Sequence, residues 1–272
     1  MITNPSEPQT QPPPASPRPV RVRIPTVRPR WAYVFLAINV IVFIAMELTG
    51  GSANAANLVR FGANFAPLVA AGEYWRLFTA NFLHIGILHL GVNSYALYLL
   101  GSEVEALFGH RRFIALYLLS GVSGAVLSFM LTQGLSAGAS TSLFGAFGAL
   151  AVYFYKHREM LGGFGQQRLI SLGMTLVVNV IIGLSPGSRI DNFGHLGGFI
   201  GGAILGWFLC PVYKAVNPFE RLYASAMPGP KPELSNGEIM DSNSLSKQSL
   251  NIALFMIGLI ALTLLGQMAQ RG

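Results

Sequence analysis

The feature that most constrains this chain is a series of apolar runs, each near the ~20 residues a helix needs to cross ~30 Å of hydrocarbon. They lie at about 31–48, 77–100, 113–131, 140–155, 168–184, 193–212 and 250–268. A backbone inside lipid must satisfy its own N–H and C=O groups, so each run reads as a helix. Only 11% of the 272 residues are charged, against ~25% in ordinary soluble domains. Mean hydropathy is +0.50. Too little polar surface exists to wrap a water-soluble core, and the predicted fold class is an all-α polytopic membrane protein.

Charge sets an expected orientation. The net charge is +7, which on a soluble chain would raise the question of nucleic acid. With the seven spans alternated from an N-terminus inside, fourteen basic residues fall on the cytoplasmic side, among them Arg18, Arg21, Arg23, Arg28, Arg30, Arg111, Arg112, Lys156 and Lys214. Arg60, Arg76, Arg189 and Arg271 are left outside. That bias predicts N-in, C-out. No basic patch interleaved with aromatics occurs on a soluble face, so nucleic acid is not an expected partner. The single cysteine, Cys210, excludes an internal disulfide and reads as a reduced thiol on an apolar helix.

Residues 1–30 carry PPP, SPRP and RVRIPTVRPR without an apolar core and read as a disordered cytoplasmic tail. No apolar stretch precedes Trp31, so a cleaved signal peptide is not expected, and the prolines spoil an amphipathic transit helix. The stretch 49–76 has mixed polarity and too short an apolar run to span. It is expected at the outer interface, with Tyr74 and Trp75 at headgroup depth. Residues 31–213 form a predicted six-helix core. A Pro/Ser/Asn-rich linker at 214–249 then tethers a seventh helix, 250–268, loosely to it. No internal repeat is evident, which weakens a transporter reading.

Polar groups at membrane depth mark function by default. His89 and Asn93 are four apart and share a face of the second helix. Ser140 stands at the outer start of the fourth, and His195 at the outer start of the sixth. A serine hydroxyl becomes a nucleophile when a base takes its proton, and histidine is the usual base. Gly194, Gly198 and Gly202 on one helix, with Gly138, Gly145 and Gly148 on the other, permit close backbone approach. Oxyanion donors are then available in the Ser140 N–H, His89 and Asn93. Asp191 either orients His195 or serves as a turn or cap before its helix.

These residues sit in ordered motifs: EYWRLFTANFLHIGILHLGVN, LGSEVEALFGHRRF, GAST and GHLGGFIGG. Over about 31–212 the chain resembles the rhomboid family of intramembrane serine proteases. The resemblance implies Ser140 as nucleophile, His195 as base, His89 and Asn93 as oxyanion donors and His84 as a structural histidine. It also matches Trp75 and Arg76 to an interfacial W-R pair and Glu105 to a structural acid. It implies hydrolysis of peptide bonds in or beside substrate transmembrane helices, with neither metal nor nucleotide. Substrate helices that unwind easily and carry a small residue before the cut are favoured. Two positions depart from the family pattern: Thr141 replaces the glycine after the nucleophile, and Phe144 stands where a tyrosine often packs on the base.

Blander readings stand beside this one. Ser140 alone is a helix N-cap, and His195 alone a packing residue. Three histidines, His84, His89 and His195, lack the carboxylate or fourth ligand of a metal site. Glu103 and Glu105 are expected to cap or to pair with Arg111 and Arg112, and His110 and His157 to be ordinary loop residues. A catalytically inactive rhomboid-like protein that binds membrane clients is the alternative function.

Overall fold

The computed structural model describes residues 24–132, 134–186, 188, 190–215 and 239–271. The elements are helices α1 (Trp31–Leu48), α2 (Ala55–Phe61), α3 (Ala66–Ala70), α4 (Arg76–Thr79), α5 (Gly86–Ala96), α6 (Ser102–Phe108), α7 (His110–Leu131), α8 (Ser140–Lys156), α9 (Arg158–Gly183), α10 (Asn192–Leu209) and α11 (Ser249–Arg271). Two short strands, β1 (Tyr213–Ala215) and β2 (Ile239–Asp241), pair antiparallel. The expected all-α, multi-span architecture is what the chain adopts.

The second apolar run, at 77–100, is broken rather than one continuous helix. Helix α4 and the 3₁₀ turn Ala80–Phe82 meet the following helix at 90°. Leu83 is extended (ψ 146°), and Gly86 takes a φ of +75°, which favours glycine. The apolar run conceals this bend because only His84 interrupts it there and no proline or polar turn cluster marks the break. From Gly86 the helix runs through a π-helical turn at Leu97–Gly101 into α6. The fifth run likewise starts earlier than expected: α9 begins at Arg158 and is kinked at Gly162.

By length and hydropathy α1, α7, α9 and the segment containing α11 can each cross a membrane. Helix α8 has 17 residues, or ~26 Å at 1.5 Å per residue, short of the ~30 Å core. If its Lys156 end lies at one surface, Ser140 lies below the other. Helix α8 is the central element. From Thr141 to Leu150 every residue is buried, against α7, α10, α9 and α5. Lipid-facing residues lie outside: Met174, Ile181 and Leu184 on or just after α9, and Leu254, Ile257 and Leu265 on α11, are all exposed.

Glu105 holds the start of α1. Its carboxylate accepts the N–H groups of Arg30 (3.0 Å), Trp31 (2.9 Å) and Ala32 (2.8 Å), and it pairs with His110 Nδ1 at 2.6 Å. The expected pairing with Arg111 and Arg112 does not occur, since Glu103 pairs with Arg168 and Arg112 with Asp241. His110 is therefore a hydrogen-bond partner of Glu105 at the start of α7, and His157, at the C-cap of α8, packs on Tyr213.

The seventh helix is not loosely held. Helix α11 packs along α7, burying Leu259 and Thr263, and Gln267 bridges to Ala70 O (2.8 Å) and Tyr74 Oη (2.7 Å). Part of the expected linker is ordered as well, through the β1–β2 pair. The tail at 1–23 and the linker at 216–238 lie outside the described residues.

Candidate active site

Close helix contact is the first requirement of a Ser–His pair, and glycines meet it. A Cβ built on Gly198 of α10 would lie 2.1 Å from Thr141 O of α8. One on Gly202 would lie 2.0 Å from Gly145 O, and one on Gly148 would lie 2.3 Å from Phe199 O. Only hydrogen fits at these crossings, and the two backbones touch. As a result the His195 ring stacks on Phe144, centroids 4.0 Å apart and planes at 14°. Phe144 lies one turn along α8 from Ser140, on the same face.

Ser140 is the first residue of α8, and Ala139 occupies the N-cap without a side-chain bond. The serine hydroxyl is therefore not spent on capping, and the Ser140 N–H has no intrahelical partner. No hydrogen bond joins Ser140 Oγ to His195 in this structure. Catalytic pairs are commonly longer in the free enzyme than in the substrate complex.

On the other side of Ser140 stands His89. Gly138, with φ +143°, leaves the space it needs: a Cβ there would lie 2.9 Å from His89 Nε2 and 3.5 Å from Ser140 Oγ. The His89 ring and the serine hydroxyl thus converge on one point. His89 Nδ1 accepts the N–H of Ile85 at 3.3 Å, which leaves Nε2 as the protonated nitrogen of a neutral ring. One turn further along, Asn93 is buried, and its Nδ2 has no partner among the described residues. A buried amide donor without an acceptor is costly and suits a group waiting for a transient one. His84 is fully buried, lies edge-on to His89 at 5.3 Å, and accepts the N–H of Ala139 through Nε2 at 3.4 Å.

Asp191 acts as the cap of α10. Its carboxylate accepts from Gly194 N (2.9 Å), Thr132 Oγ1 (2.9 Å) and Ser136 Oγ (2.5 Å), not from the His195 ring. It therefore ties the loop before Ser140 to the helix that carries His195. Arg76 is also structural. It is buried, holds Glu73 and the carbonyls of Val59 (2.6 Å) and Ala63 (3.3 Å), and lies 4.5 Å from the centroid of Trp75.

One residue near the site was missed by sequence reasoning. Asn81 accepts the Thr141 hydroxyl through Oδ1 at 2.5 Å. The only sequence signal was a second amide-bearing residue inside an apolar run.

Residues 71–212 match the Rhomboid domain. The chain is 42% identical over 178 residues to "Rhomboid protease GluP" of Bacillus subtilis, covering 64% of this chain and 34% of that protein. It is 38% identical over 168 residues to "RHOMBOID-like protein 5" of Arabidopsis thaliana, covering 59% and 53%. It is 36% identical over 157 residues to "Rhomboid-like protease 3" of Toxoplasma gondii, covering 56% and 58%. The matched stretch thus spans about a third of the first relative and somewhat over half of the other two. With the family domain covering more than half of its length, and the family motifs carried on helices that the fold packs against one another, this chain belongs to the rhomboid family.

Proposed function

We propose that this protein is an intramembrane serine endopeptidase that hydrolyses transmembrane segments of other membrane proteins. The observation that carries the reading is the glycine-lined contact of α8 and α10, which stacks His195 on Phe144 one turn from Ser140. His195 takes the proton of Ser140 as Oγ attacks the scissile carbonyl. The oxyanion is received by the Ser140 N–H, His89 Nε2 and Asn93 Nδ2. His195 then protonates the leaving amine, and water opens the acyl-enzyme. The names of the related proteases support this chemistry, as does the unspent hydroxyl at the start of α8. With the N-terminus inside, the site faces the outer leaflet. A substrate helix must unwind there, because an intact helix hides its carbonyl carbons.

A fluorophosphonate probe on purified full-length protein tests the reading. Labelling of the wild type that disappears in Ser140→Ala is expected. A folded wild type that takes no label contradicts it and points instead to a client-binding relative without catalysis.

A further inference from the structure

The family pattern has glycine after the nucleophile, and here Thr141 brings a methyl and a hydroxyl into a buried place. The methyl is accommodated by two glycines: a Cβ on Gly124 would lie 2.9 Å, and one on Gly194 3.1 Å, from Thr141 Cγ2. The hydroxyl needs an acceptor, because it sits in the first turn of α8, ahead of a complete helical hydrogen-bond ladder. Asn81 supplies it. We infer that Asn81 is the positioning residue for the nucleophile in this chain and acts through the Thr141 hydroxyl. The inference rests on the reading of Ser140 as nucleophile.

The direction of the bond is fixed by its surroundings. Asn81 Nδ2 donates to Leu77 O at 2.9 Å and to Phe78 O at 3.1 Å, so Oδ1 must point the other way, at Thr141. Gly121 on α7 leaves room for this arrangement, since a Cβ there would lie 2.8 Å from Asn81 Oδ1. Two further bonds join the same pair of segments. Gly138 N–H donates to Ala80 O at 2.9 Å, and Ala139 N–H to His84 Nε2 at 3.4 Å. Residues 138, 139 and 141 are thus each tied to the turn at 80–84, and Ser140 is held between them with its own hydroxyl free. That turn leads directly into α5, which carries His89 and Asn93. The Asn81–Thr141 bond therefore sets the position of the nucleophile relative to the oxyanion donors. Without it Thr141 keeps a buried hydroxyl with no acceptor, and the only one of the three ties that lies beyond Ser140 is lost. A displacement of ~1 Å at a reacting atom can cost ~100-fold in rate.

The test uses full-length protein in lipid vesicles, measuring kcat and KM on a single-pass substrate, the rate of fluorophosphonate labelling, and Tm. Asn81→Ala is expected to lower kcat and labelling together by roughly 10- to 100-fold, with KM little changed. Thr141→Ser, which keeps the donor, is expected to retain more activity than Thr141→Val, which is near in shape but lacks it. The double variant Asn81→Ala with Thr141→Gly removes both halves of the bond and is expected to be more active than Asn81→Ala alone. A folded Asn81→Ala protein with wild-type kcat and labelling overturns the inference. So does a double variant no better than Asn81→Ala, or a loss confined to KM. Should Asn81→Ala fail to fold, the order of Thr141→Ser and Thr141→Val decides: equal activities overturn the inference. A folded wild type without Ser140-dependent labelling sinks the protease reading itself, an outcome distinct from all of these.

Discussion

Asn93 is buried, and its Nδ2 has no hydrogen-bond partner among the described residues, an uncommon condition for a buried amide. In the proposed mechanism this amide bonds the oxyanion only in the transition state, and such a donor lowers the barrier without tightening substrate binding. Asn93→Ala is therefore expected to lower kcat by ~100- to 1,000-fold, the range for loss of one oxyanion donor, while KM stays within a factor of about two. Steady-state cleavage of a single-pass substrate checks this, and a KM-only effect would assign Asn93 to packing. The residues proposed for the chemistry were legible in the sequence because each is a polar group in an apolar helix. Asn81 was not, because its meaning lies in a partner 60 positions away. Asp191 was legible as a cap because an aspartate three residues before an amide at a helix start has a local use for its carboxylate.

Among the elements, the contact between α8 and α10 is the one on which the site depends. Its glycines and the pair of helices they bring together were readable from the small-residue spacing, and the structure adds which backbone atoms meet. Gly202 meets Gly145 backbone, so a side chain there must push the helices apart. Gly202→Val is expected to destabilise the protein by about 1–3 kcal/mol, visible as a lower Tm in detergent. It should also reduce activity further than the Tm loss explains, since His195 moves away with α10. Unchanged Tm and activity would show that the contact is not tight. Helix α1 was read to the residue, since its apolar run is interrupted only by Asn39 and, in the last turn, Glu47. The bend at Leu83–Gly86 was lost because the apolar run continues on both sides of it and the one polar residue within it, His84, reads as a buried side chain rather than as a turn signal.

In the whole molecule, the segment between α1 and α5, the central helix and α11 form one connected body. The sequence suggested a loose seventh helix because the linker at 214–249 is polar and proline-rich, and linker composition says nothing about where a helix docks. Gln267 makes that docking specific by bonding Ala70 O and Tyr74 Oη. Gln267→Ala is expected to weaken the attachment by about 1 kcal/mol and to raise amide hydrogen exchange across α3 and the residues up to Trp75. Unaltered exchange there would mean that packing against α7, α3 and α10, not the Gln267 bonds, holds α11.

Orientation belongs to this scale too, and the charge bias predicts that the Ser140 end faces outward. Cleavage of a single-pass substrate in sealed vesicles, by wild-type protein and by Ser140→Ala and His195→Ala, bears on the proposed chemistry most directly. One cut near the Ser140 side of the substrate helix, abolished by either substitution in proteins that still fold, is the expected result. Undiminished cleavage by either folded variant would contradict a Ser140–His195 dyad.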